Sequence, residues 1–356
     1  MALKNQINLR IAKHKLNEWL FKKLPEAQSL VVSDVEIPSS NGLSYETVLF
    51  NVAWTENNID HHAGMVARVC PKGEGLHPSY NLWVEAEVIR KLYHHTSVPL
   101  PKILFYEEEA DVFGAPFLVM SRVEGRTLSD NPPFTVESWL LKLSAKDRGR
   151  LYDNGLVALA EIHMTDWQAL SLDMLPKGIE SQIKHYEEYY KWSSKEGENN
   201  SVITSAFNWI RENRPLENGR LVLNWGDARL GNMIFDDQLN VAAVLDWEMA
   251  SIDRPELDIA HWLFVMRVHT EGHGVPLPAG FPDKTAVVER YESLTGYKVN
   301  DLHFYEVLAT LRSAIILRRL ARVMVEQGVL PPDSTMGDHN PAIKFLEQML
   351  DIHFSA

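Results

Sequence analysis

The sequence predicts an α+β fold of two lobes, a small β-rich N-terminal lobe at residues 1–122 and a larger helical C-terminal lobe at residues 123–356. Segments of alternating apolar and polar residues fill the first third, and helical spacing of apolar residues dominates from Ser138 onward. The length of 356 residues also exceeds that of a usual single domain. A β-rich part followed by a helical part is typical of α+β folds, and we expect a hinge near Met120 to Gly125.

The N-terminal lobe is predicted to open with an amphipathic helix inside Met1 to Leu24. A second helix is predicted at Ser79 to His95, because apolar residues recur with helical spacing from Leu82 to Tyr93. Five segments are predicted as strands. They are Leu30 to Ile37, Thr47 to Trp54, Met65 to Val69, Lys102 to Tyr106 and Pro116 to Ser121.

The C-terminal lobe is predicted to contain long helices near residues 146–164, 179–194 and 201–213. Three short strands interrupt the helical pattern, and a turn at Asp236-Asp237-Gln238 joins the last two of them. These strands are Leu221 to Asn224, Met233 to Phe235 and Val241 to Leu245. The sequence therefore places a small hairpin within a helical lobe.

The charge balance argues against a polyanionic partner. The chain has 35 Lys and Arg residues against 48 Asp and Glu residues, a net charge of −13, which repels nucleic acid and anionic membrane. The same balance mildly favours a cationic substrate, although acidic surfaces also serve solubility. The single cysteine, Cys70, fits a reducing cytoplasm, and four arginines within Val307 to Val325 argue against a membrane span.

The segment Trp225 to Asn232 predicts a catalytic loop. Asp227 and Asn232 lie five positions apart, and Asp246 follows the predicted strand Val241 to Leu245. Phosphoryl transfer requires a carboxylate that orients the attacking hydroxyl and oxygen ligands that hold Mg²⁺. Asp227 would position and deprotonate the acceptor, Asn232 would supply a neutral carbonyl ligand, and Asp246 would bridge the metal to the phosphates. The structural alternative is an Asp-rich loop with an incidental asparagine.

This segment resembles the aminoglycoside phosphotransferase and choline kinase-like enzymes, which are relatives of the protein kinases. Their signature is H-G-D-x-x-x-x-N, followed by D-[WFL]-E or a near variant. The chain departs from the signature at Trp225, where the family usually has histidine. The matching residues are Gly226, Asp227, Asn232, Asp246 and Glu248.

The resemblance implies a bilobal protein-kinase-like fold and transfer of a phosphoryl group to the hydroxyl of a small-molecule alcohol. It also implies ATP, with GTP as the alternative, and Mg²⁺ as cofactors. On this basis Arg229 joins Asp227 in the catalytic group, and Glu248 joins Asn232 and Asp246 as a candidate metal ligand.

Arg68 stands where the resemblance places the lysine of a kinase V-A-I-K strand. Arginine can also pair with a carboxylate and contact phosphate, and its partner is expected on the following helix. At about 100° per residue, Glu85 lies within the apolar arc of that helix, whereas Glu87 points to the opposite side with Lys91. An inward carboxylate needs a partner, so we predict a pair of Arg68 and Glu85.

Two further segments resemble nucleotide-binding parts of the family. Gly42 to Thr47 occupies the turn between the first strands, where Ser44 and backbone amides are candidate phosphate donors; an ordinary hairpin turn is the alternative. Phe117 to Gly125 is similar to the lobe connector, whose backbone meets the adenine edge. Ser121 and Val123 are the candidate adenine contacts.

Asp258 and His163 are interpreted as structural residues. Asp258-Ile259-Ala260 resembles the family's D-L-A, and Asp258 at a helix start is expected to brace the catalytic loop by hydrogen bonds. His163 is expected to be a buried anchor rather than a base.

Two functions of different classes stay open at this point. One is a small-molecule kinase; the other is a catalytically silent nucleotide-binding protein, which the departures at Trp225 and Arg68 suggest. A metal-dependent phosphohydrolase ranks last, since the sequence lacks the His/Asp cluster of a two-metal site. Neither the acceptor alcohol nor the oligomeric state can be predicted from the sequence.

Overall fold

The computed structural model describes residues 7–38, 44–109, 111–195, 197–216 and 219–351. The chain divides into two compact units. The first comprises Met1–His94 and Leu100–Glu124, and the second comprises His95–Pro99 and Gly125–Ala356. His95–Pro99 belongs to the second unit because the Pro99 carbonyl accepts a hydrogen bond, at 2.8 Å, from the amide of Val244.

The first unit contains a five-stranded antiparallel sheet in the order β1-β2-β3-β5-β4. Helix α1 precedes the sheet, and helix α2 lies between β3 and β4 in the chain. The strands are β1 (Ser29–Glu36), β2 (Glu46–Glu56), β3 (Ile59–Val69), β4 (Ile103–Glu107) and β5 (Phe117–Ser121), and the helices are α1 (Leu9–Lys23) and α2 (Leu82–His95).

Strand β3 begins six residues earlier than the sequence predicts, at Ile59 rather than Met65. Asn57 and Asn58 have φ angles of 52° and 62°, which a two-residue hairpin turn requires and which asparagine tolerates. The polar run Asp60-His61-His62 hides the apolar alternation there. The long pairing from Glu46↔Val69 to Glu56↔Ile59 fixes the position of Arg68 at the far end of β3.

The core of the first unit lies between α1 and the sheet. Leu16 and Leu20 of α1 are fully buried and pack with Val48, Phe50 and other inward residues of the sheet. Helix α1 starts where the Asn8 side chain accepts a hydrogen bond from the amide of Ile11. The alternation predicted for these strands therefore places one face of the sheet on α1.

The second unit is mainly helical. Its helices are α3 (Ala145–Met164), α4 (Ile179–Ser193), α5 (Ser201–Glu212), α6 (Glu256–His269), α7 (Lys284–Thr295), α8 (Leu302–Glu326) and α9 (Pro341–Met349). Helix α8 is buried on most sides, and α4, α5, α6 and α9 pack against it. Helix α8 is therefore the central helix of this unit.

Two pairs of short antiparallel strands interrupt these helices. They are β6 (Val222–Asn224) with β9 (Ser251–Asp253), and β7 (Met233–Phe235) with β8 (Val241–Val244). Strand β9 was not predicted from the sequence; it pairs with β6 across residues that are far apart in the chain, from Val222↔Asp253 to Asn224↔Ser251. Gly125, at the start of the unit, has a φ of 148°, and a Cβ there would lie 2.6 Å from the carbonyl oxygen of Phe235.

The α+β prediction is confirmed: a five-stranded antiparallel sheet precedes a helical part with short strands. No helix in the described ranges is both long enough and apolar enough to cross a membrane.

We predict that Leu311→Ala lowers the free energy of unfolding by about 2–5 kcal/mol, because Leu311 of α8 is 0% exposed and its truncation leaves a cavity. Leu216→Ala makes the same chemical change where the side chain is 77% exposed, and we expect an effect within about 0.5 kcal/mol. Urea denaturation followed by tryptophan fluorescence measures both. Equal effects of the two substitutions would contradict this description of the core.

Candidate active site

The loop that follows β6 has a backbone that only glycine allows at one position. Gly226 has a φ of 96°, and a Cβ there would lie 2.1 Å from the carbonyl oxygen of Met249. A larger residue would both strain the backbone and clash with the chain after β8. Gly226 thus lets the loop turn and present the next residue, Asp227.

The carboxylate of Asp258 fixes this turn. Asp258 lies in the first turn of α6 and is 0% exposed. Its Oδ2 accepts a hydrogen bond from the amide of Trp225 at 2.6 Å, and its Oδ1 accepts one from the amide of Gly226 at 2.9 Å. His163 Nε2 lies 3.1 Å from Oδ2, and His163 Nδ1 lies 2.8 Å from the Tyr291 hydroxyl. The contacts of both residues are those of the bracing and anchoring roles that we expected.

Trp225 links the loop to the segment after β8. The side chain is 0% exposed, and its indole Nε1–H donates to the carbonyl of Leu245 at 2.8 Å and to that of Asp246 at 3.1 Å. The tryptophan therefore ties Asp227's loop to the backbone of Asp246. The residue that departs from the family signature is a well-bonded part of the support.

The carboxylate of Asp227 receives hydrogen bonds from three side chains. Arg229 Nε donates to Oδ2 at 2.9 Å, and Asn232 Nδ2 donates to the same oxygen at 2.6 Å. His261 Nε2, from α6, lies 2.8 Å from Oδ1. The structure thus brings together Asp227, Arg229 and Asn232, as predicted for the loop, and adds a histidine that the sequence analysis missed.

Arg229 connects Asp227 to a second carboxylate. Its Nη1 donates to Asp130, and Asp130 Oδ1 lies 3.4 Å from His269 Nε2. Asp130 is 99 positions from Arg229 in the chain, and no sequence signal relates the two residues. His269 is buried and packs its ring against Phe134. Arg229 therefore holds two carboxylates at once.

The charges around Asp227 favour its ionised form. Burial alone would raise the pKa of this carboxyl, but the positive charge of Arg229, with the hydrogen bonds from His261 and Arg229, holds the pKa well below its usual value. For Arg229, burial acts to lower the pKa, and the carboxylates of Asp130 and Asp227 raise it instead. Asp227 is therefore a carboxylate over the whole neutral range.

His261 is a buried, neutral neighbour of Asp227. Burial and the positive charge of Arg312 lower the pKa of the imidazole, although the Asp227 carboxylate acts in the opposite direction. A neutral imidazole that faces a carboxylate donates its Nε2–H. The sequence did contain a signal: His261 follows Asp258 by three positions, so both residues lie on one face of α6.

The predicted metal ligands include groups that suit Mg²⁺. Asn232 turns its Nδ2 toward Asp227, which leaves its amide oxygen for another partner. Asp246 follows β8 with a φ of 65°, a conformation that aspartate tolerates better than most residues. The described residues contain no group of three His, Cys, Asp or Glu side chains arranged for a metal. Mg²⁺ usually takes one or two protein carboxylates with other oxygen ligands, and Asn232, Asp246 and Glu248 carry donors of these types.

In the first unit, Arg68 and Glu85 form the pair that the helix-face argument predicts. Arg68 Nη1 lies 2.7 Å from Glu85 Oε1, and the Glu85 side chain is 1% exposed. The guanidinium carbon of Arg68 also lies 4.4 Å from the centre of the Tyr45 ring. Glu87 pairs with Arg90 instead. Arg68 is thus held from two sides.

The remaining candidates of the first unit lie at two of its loops. Ser44 is described just before β2, whereas Gly42 and Leu43 lie outside the described residues. Ser121 ends β5, and its hydroxyl accepts a hydrogen bond from the amide of Lys102 at 2.9 Å. The backbone of Val123 makes no hydrogen bond to any other described main-chain group.

A cavity of about 500 Å³ lies elsewhere in the second unit. None of the candidate site residues lines it. The cavity is therefore separate from the cluster of charged and polar side chains around Asp227. The cavity is lined by Leu216, Gly219, Arg220, Arg254, Tyr297, Asn300 and Asp301.

Comparison with protein families gives one match that spans most of the chain. Residues 54–281 match the model of the phosphotransferase enzyme family. The match contains the pair of Arg68 and Glu85 as well as the loop of Asp227 and the segment of Asp246.

The curated relatives are longer proteins. The chain is 26% identical over 271 residues to the probable acyl-CoA dehydrogenase IBR3 of Arabidopsis thaliana, which is 70% of this chain and 32% of that protein. It is 26% identical over 269 residues to acyl-CoA dehydrogenase family member 11 of Mus musculus, which is 72% of this chain and 33% of that protein. The chain thus spans about a third of the length of these relatives.

Solved structures share the fold. A Ralstonia eutropha JMP134 protein assigned as an aminoglycoside phosphotransferase superposes with a TM-score of 0.66 at 24% identity, over 95% of each chain. A choline/ethanolamine kinase family protein from Mesorhizobium loti has a TM-score of 0.56 at 14% identity, over 90% of this chain and 88% of that chain. Aminoglycoside phosphotransferase APH(4)-Ia, in a ternary complex with ADP and hygromycin B, has a TM-score of 0.55 at 15% identity, over 95% and 98%.

We predict that His269 makes stability depend on pH. Burial lowers the pKa of His269 from 6.5 to about 4, so the unfolded chain binds this proton at a higher pH than the folded chain does. Its contribution is fully present above pH 6.5 and is lost as the pH falls toward 4, at about 1.4 kcal/mol per pH unit. His269→Gln should flatten the slope of unfolding free energy against pH by that amount.

The matched control is His339→Gln, which makes the same change at an exposed histidine that is not among the groups acting on the pKa of His269. It should leave the slope unchanged. Urea denaturation at a series of pH values between 7 and 4 measures the slopes. An unchanged slope in His269→Gln would show that His269 is not buried in its neutral form.

Proposed function

Because the chain belongs to the phosphotransferase enzyme family, we propose that it transfers the γ-phosphoryl group of ATP to a hydroxyl group of a small molecule, with Asp227 as the base. The observation that carries this proposal is the buried set of donors around one ionised carboxylate, in a loop whose backbone Asp258 holds. Such a carboxylate is oriented and ionised, as the group that receives the hydroxyl proton must be.

In the proposed reaction, the acceptor hydroxyl donates a hydrogen bond to the Asp227 carboxylate. The hydroxyl oxygen forms a bond to the γ-phosphorus, the bond from that phosphorus to the bridging oxygen breaks, and ADP leaves. The proton of the hydroxyl passes to Asp227. Because little covalent chemistry is required of the protein, orientation and charge account for most of the catalysis.

Arg229 keeps Asp227 in the required state. Its guanidinium lowers the pKa of Asp227, and its second contact, to Asp130, restrains the guanidinium itself. We propose that Arg229 thereby keeps the carboxylate in place before the acceptor arrives.

Asn232, Asp246 and Glu248 are the proposed residues for Mg²⁺. When bound, the ion neutralises the phosphate charge that develops during transfer. Trp225 holds the backbone of Asp246 by a hydrogen bond to its carbonyl. Asn232 would bind the metal through its amide oxygen while its Nδ2 donates to Asp227.

Residues of the first unit are the proposed nucleotide contacts. Arg68, held by Glu85, would present its guanidinium to a phosphate of the nucleotide. Ser44 and the neighbouring amides would donate further hydrogen bonds to phosphate. The backbone of Val123, with Ser121, would contact the adenine. The rise in melting temperature that ATP and GTP each produce at equal concentration shows which nucleotide the protein prefers.

The acceptor alcohol is to be identified by an unbiased screen. Labelled ATP is incubated with aminoglycosides, macrolides, choline, homoserine and hydroxyacyl thioesters, the last because the relatives that share this region are named as acyl-CoA dehydrogenases. Stabilisation by Mg-ATP without transfer to any acceptor of a broad panel would favour a catalytically silent nucleotide-binding protein.

We predict that Asp227→Asn lowers kcat about 10²–10⁴-fold, because the amide keeps the shape of the side chain but cannot accept the proton. Stabilisation by Mg-ATP should persist. ATP consumption in the presence of the acceptor measures turnover. Asp237→Asn, whose side chain is 91% exposed in the turn between β7 and β8, is the control and should retain full activity. A rate like that of the wild type in Asp227→Asn would exclude Asp227 as the base.

We predict that Asp246→Asn raises the Mg²⁺ concentration needed for half-maximal activity by about tenfold or more, because a metal ligand loses its charge. Asparagine also tolerates the φ of 65° at this position, so the backbone should keep its conformation. Titration of activity with MgCl₂ measures the shift.

The control for this titration is Asp351→Asn, which makes the same change at an exposed residue with a φ of 52°. We expect no shift in its Mg²⁺ requirement. If both variants respond alike, Asp246 is not a metal ligand.

A further inference from the structure

The two oxygens of the Asp227 carboxylate are not equivalent. Oδ2 accepts hydrogen bonds from Arg229 Nε and from Asn232 Nδ2, whereas His261 Nε2 is the one described donor to Oδ1. A carboxylate oxygen has about two lone-pair sites. The contacts therefore saturate Oδ2 and leave one site on Oδ1, so an incoming hydroxyl has room at Oδ1.

The three side chains that donate to Asp227 also differ in their other hydrogen bonds. Arg229 is shared with Asp130, and Asn232 donates a second hydrogen bond to the Asp227 carbonyl at 3.1 Å. His261 is committed to Asp227 alone, because its Nδ1 is buried and has no hydrogen-bond partner within the described residues. A buried polar atom without a partner costs free energy, about 1–3 kcal/mol, so the position carries a polar residue at a cost to stability.

The helix that carries His261 is fixed on both sides of it. Asp258, three positions earlier, holds the backbone of the loop at Trp225 and Gly226. Trp262 is buried, and its Nε1 donates to the Tyr152 hydroxyl at 2.7 Å. One face of α6 thus fixes the loop backbone and, one turn later, the side chain of Asp227.

We propose that His261 is a positioning residue for phosphoryl transfer, which holds Oδ1 of Asp227 at the place where that oxygen meets the acceptor hydroxyl. This inference rests on the proposed role of Asp227. It assigns the proton to Oδ1, while Oδ2 stays bound to Arg229 and Asn232.

The surrounding charges agree with a neutral donor. The groups that act on the His261 imidazole are Asp227 and Arg229 of the loop and Arg312 of α8. Burial and the guanidinium of Arg312 hold the pKa of His261 below its usual value, so the ring donates without adding a positive charge. The hydrogen bond from His261 therefore adds to the effect of Arg229 in keeping Asp227 ionised, and its direction fixes the position of Oδ1.

Three variants at one position test the proposal. His261→Met fills similar space without a donor, His261→Gln places an amide N–H near the position of Nε2, and His261→Asn has a polar amide that is too short to reach Oδ1. We expect kcat to fall about 10–100-fold in His261→Met and His261→Asn, the loss of one hydrogen bond to a charged group, and to recover to within about threefold of the wild type in His261→Gln. The KM values for ATP and acceptor should change little.

If His261→Met does not fold, His261→Gln and His261→Asn can still be compared, because each buries one amide group at the same position. Equal kcat values for Gln and Asn, or losses confined to KM, would overturn the proposal. Mg-ATP stabilisation of each variant reports an intact nucleotide site.

Failure of this proposal is distinguishable from failure of the proposed function. If Asp227→Asn is inactive while His261→Met and His261→Asn keep the kcat of the wild type, only the role of His261 is wrong. If Asp227→Asn turns over normally, the assignment of the base itself is wrong.

Discussion

The buried carboxylate of Asp258 is the interaction on which the candidate site depends. A carboxylate without solvent is costly unless donors surround it, and a buried acceptor that loses a hydrogen bond costs about 1–3 kcal/mol or more. Here the donors are the amides of Trp225 and Gly226, with His163 as the third neighbour. The hydrogen bonds that the Asp258 carboxylate requires therefore fix the backbone turn at Gly226. That turn determines the direction of the Asp227 side chain.

The need for a hydrogen-bond partner at a buried polar group also explains how the chain accommodates Trp225. A large indole at a fully buried position next to the base needs both space and a hydrogen-bond acceptor. The carbonyls of Leu245 and Asp246 supply the acceptors, so the indole bridges the loop and the segment of the proposed metal ligands. At the one signature position where the chain departs from the family, the residue present thus supports the loop through its own hydrogen bonds.

Local arguments predicted more of this molecule than long-range ones could. The choice of Glu85 over Glu87 needed only the helical period. The bracing role of Asp258 followed from the resemblance to the family's D-L-A and from its position at a helix start. Asp130 could not be predicted, because its contact with Arg229 spans 99 positions and follows from the packing of the unit. His261 lies between these cases: its spacing from Asp258 was visible, but its contact with Asp227 across 34 positions required the fold.

The charge of the whole chain is a poor guide to the charge of the site. A net charge of −13 mildly favoured a cationic acceptor, yet the loop of Asp227 is contacted by two arginines, Arg229 and the buried Arg312, which donates to the carbonyl of Gly226. Exposed acids are screened within about 8–10 Å, whereas buried charges act strongly at short range. The net charge of the chain therefore says little about the charge that a ligand would meet beside Asp227.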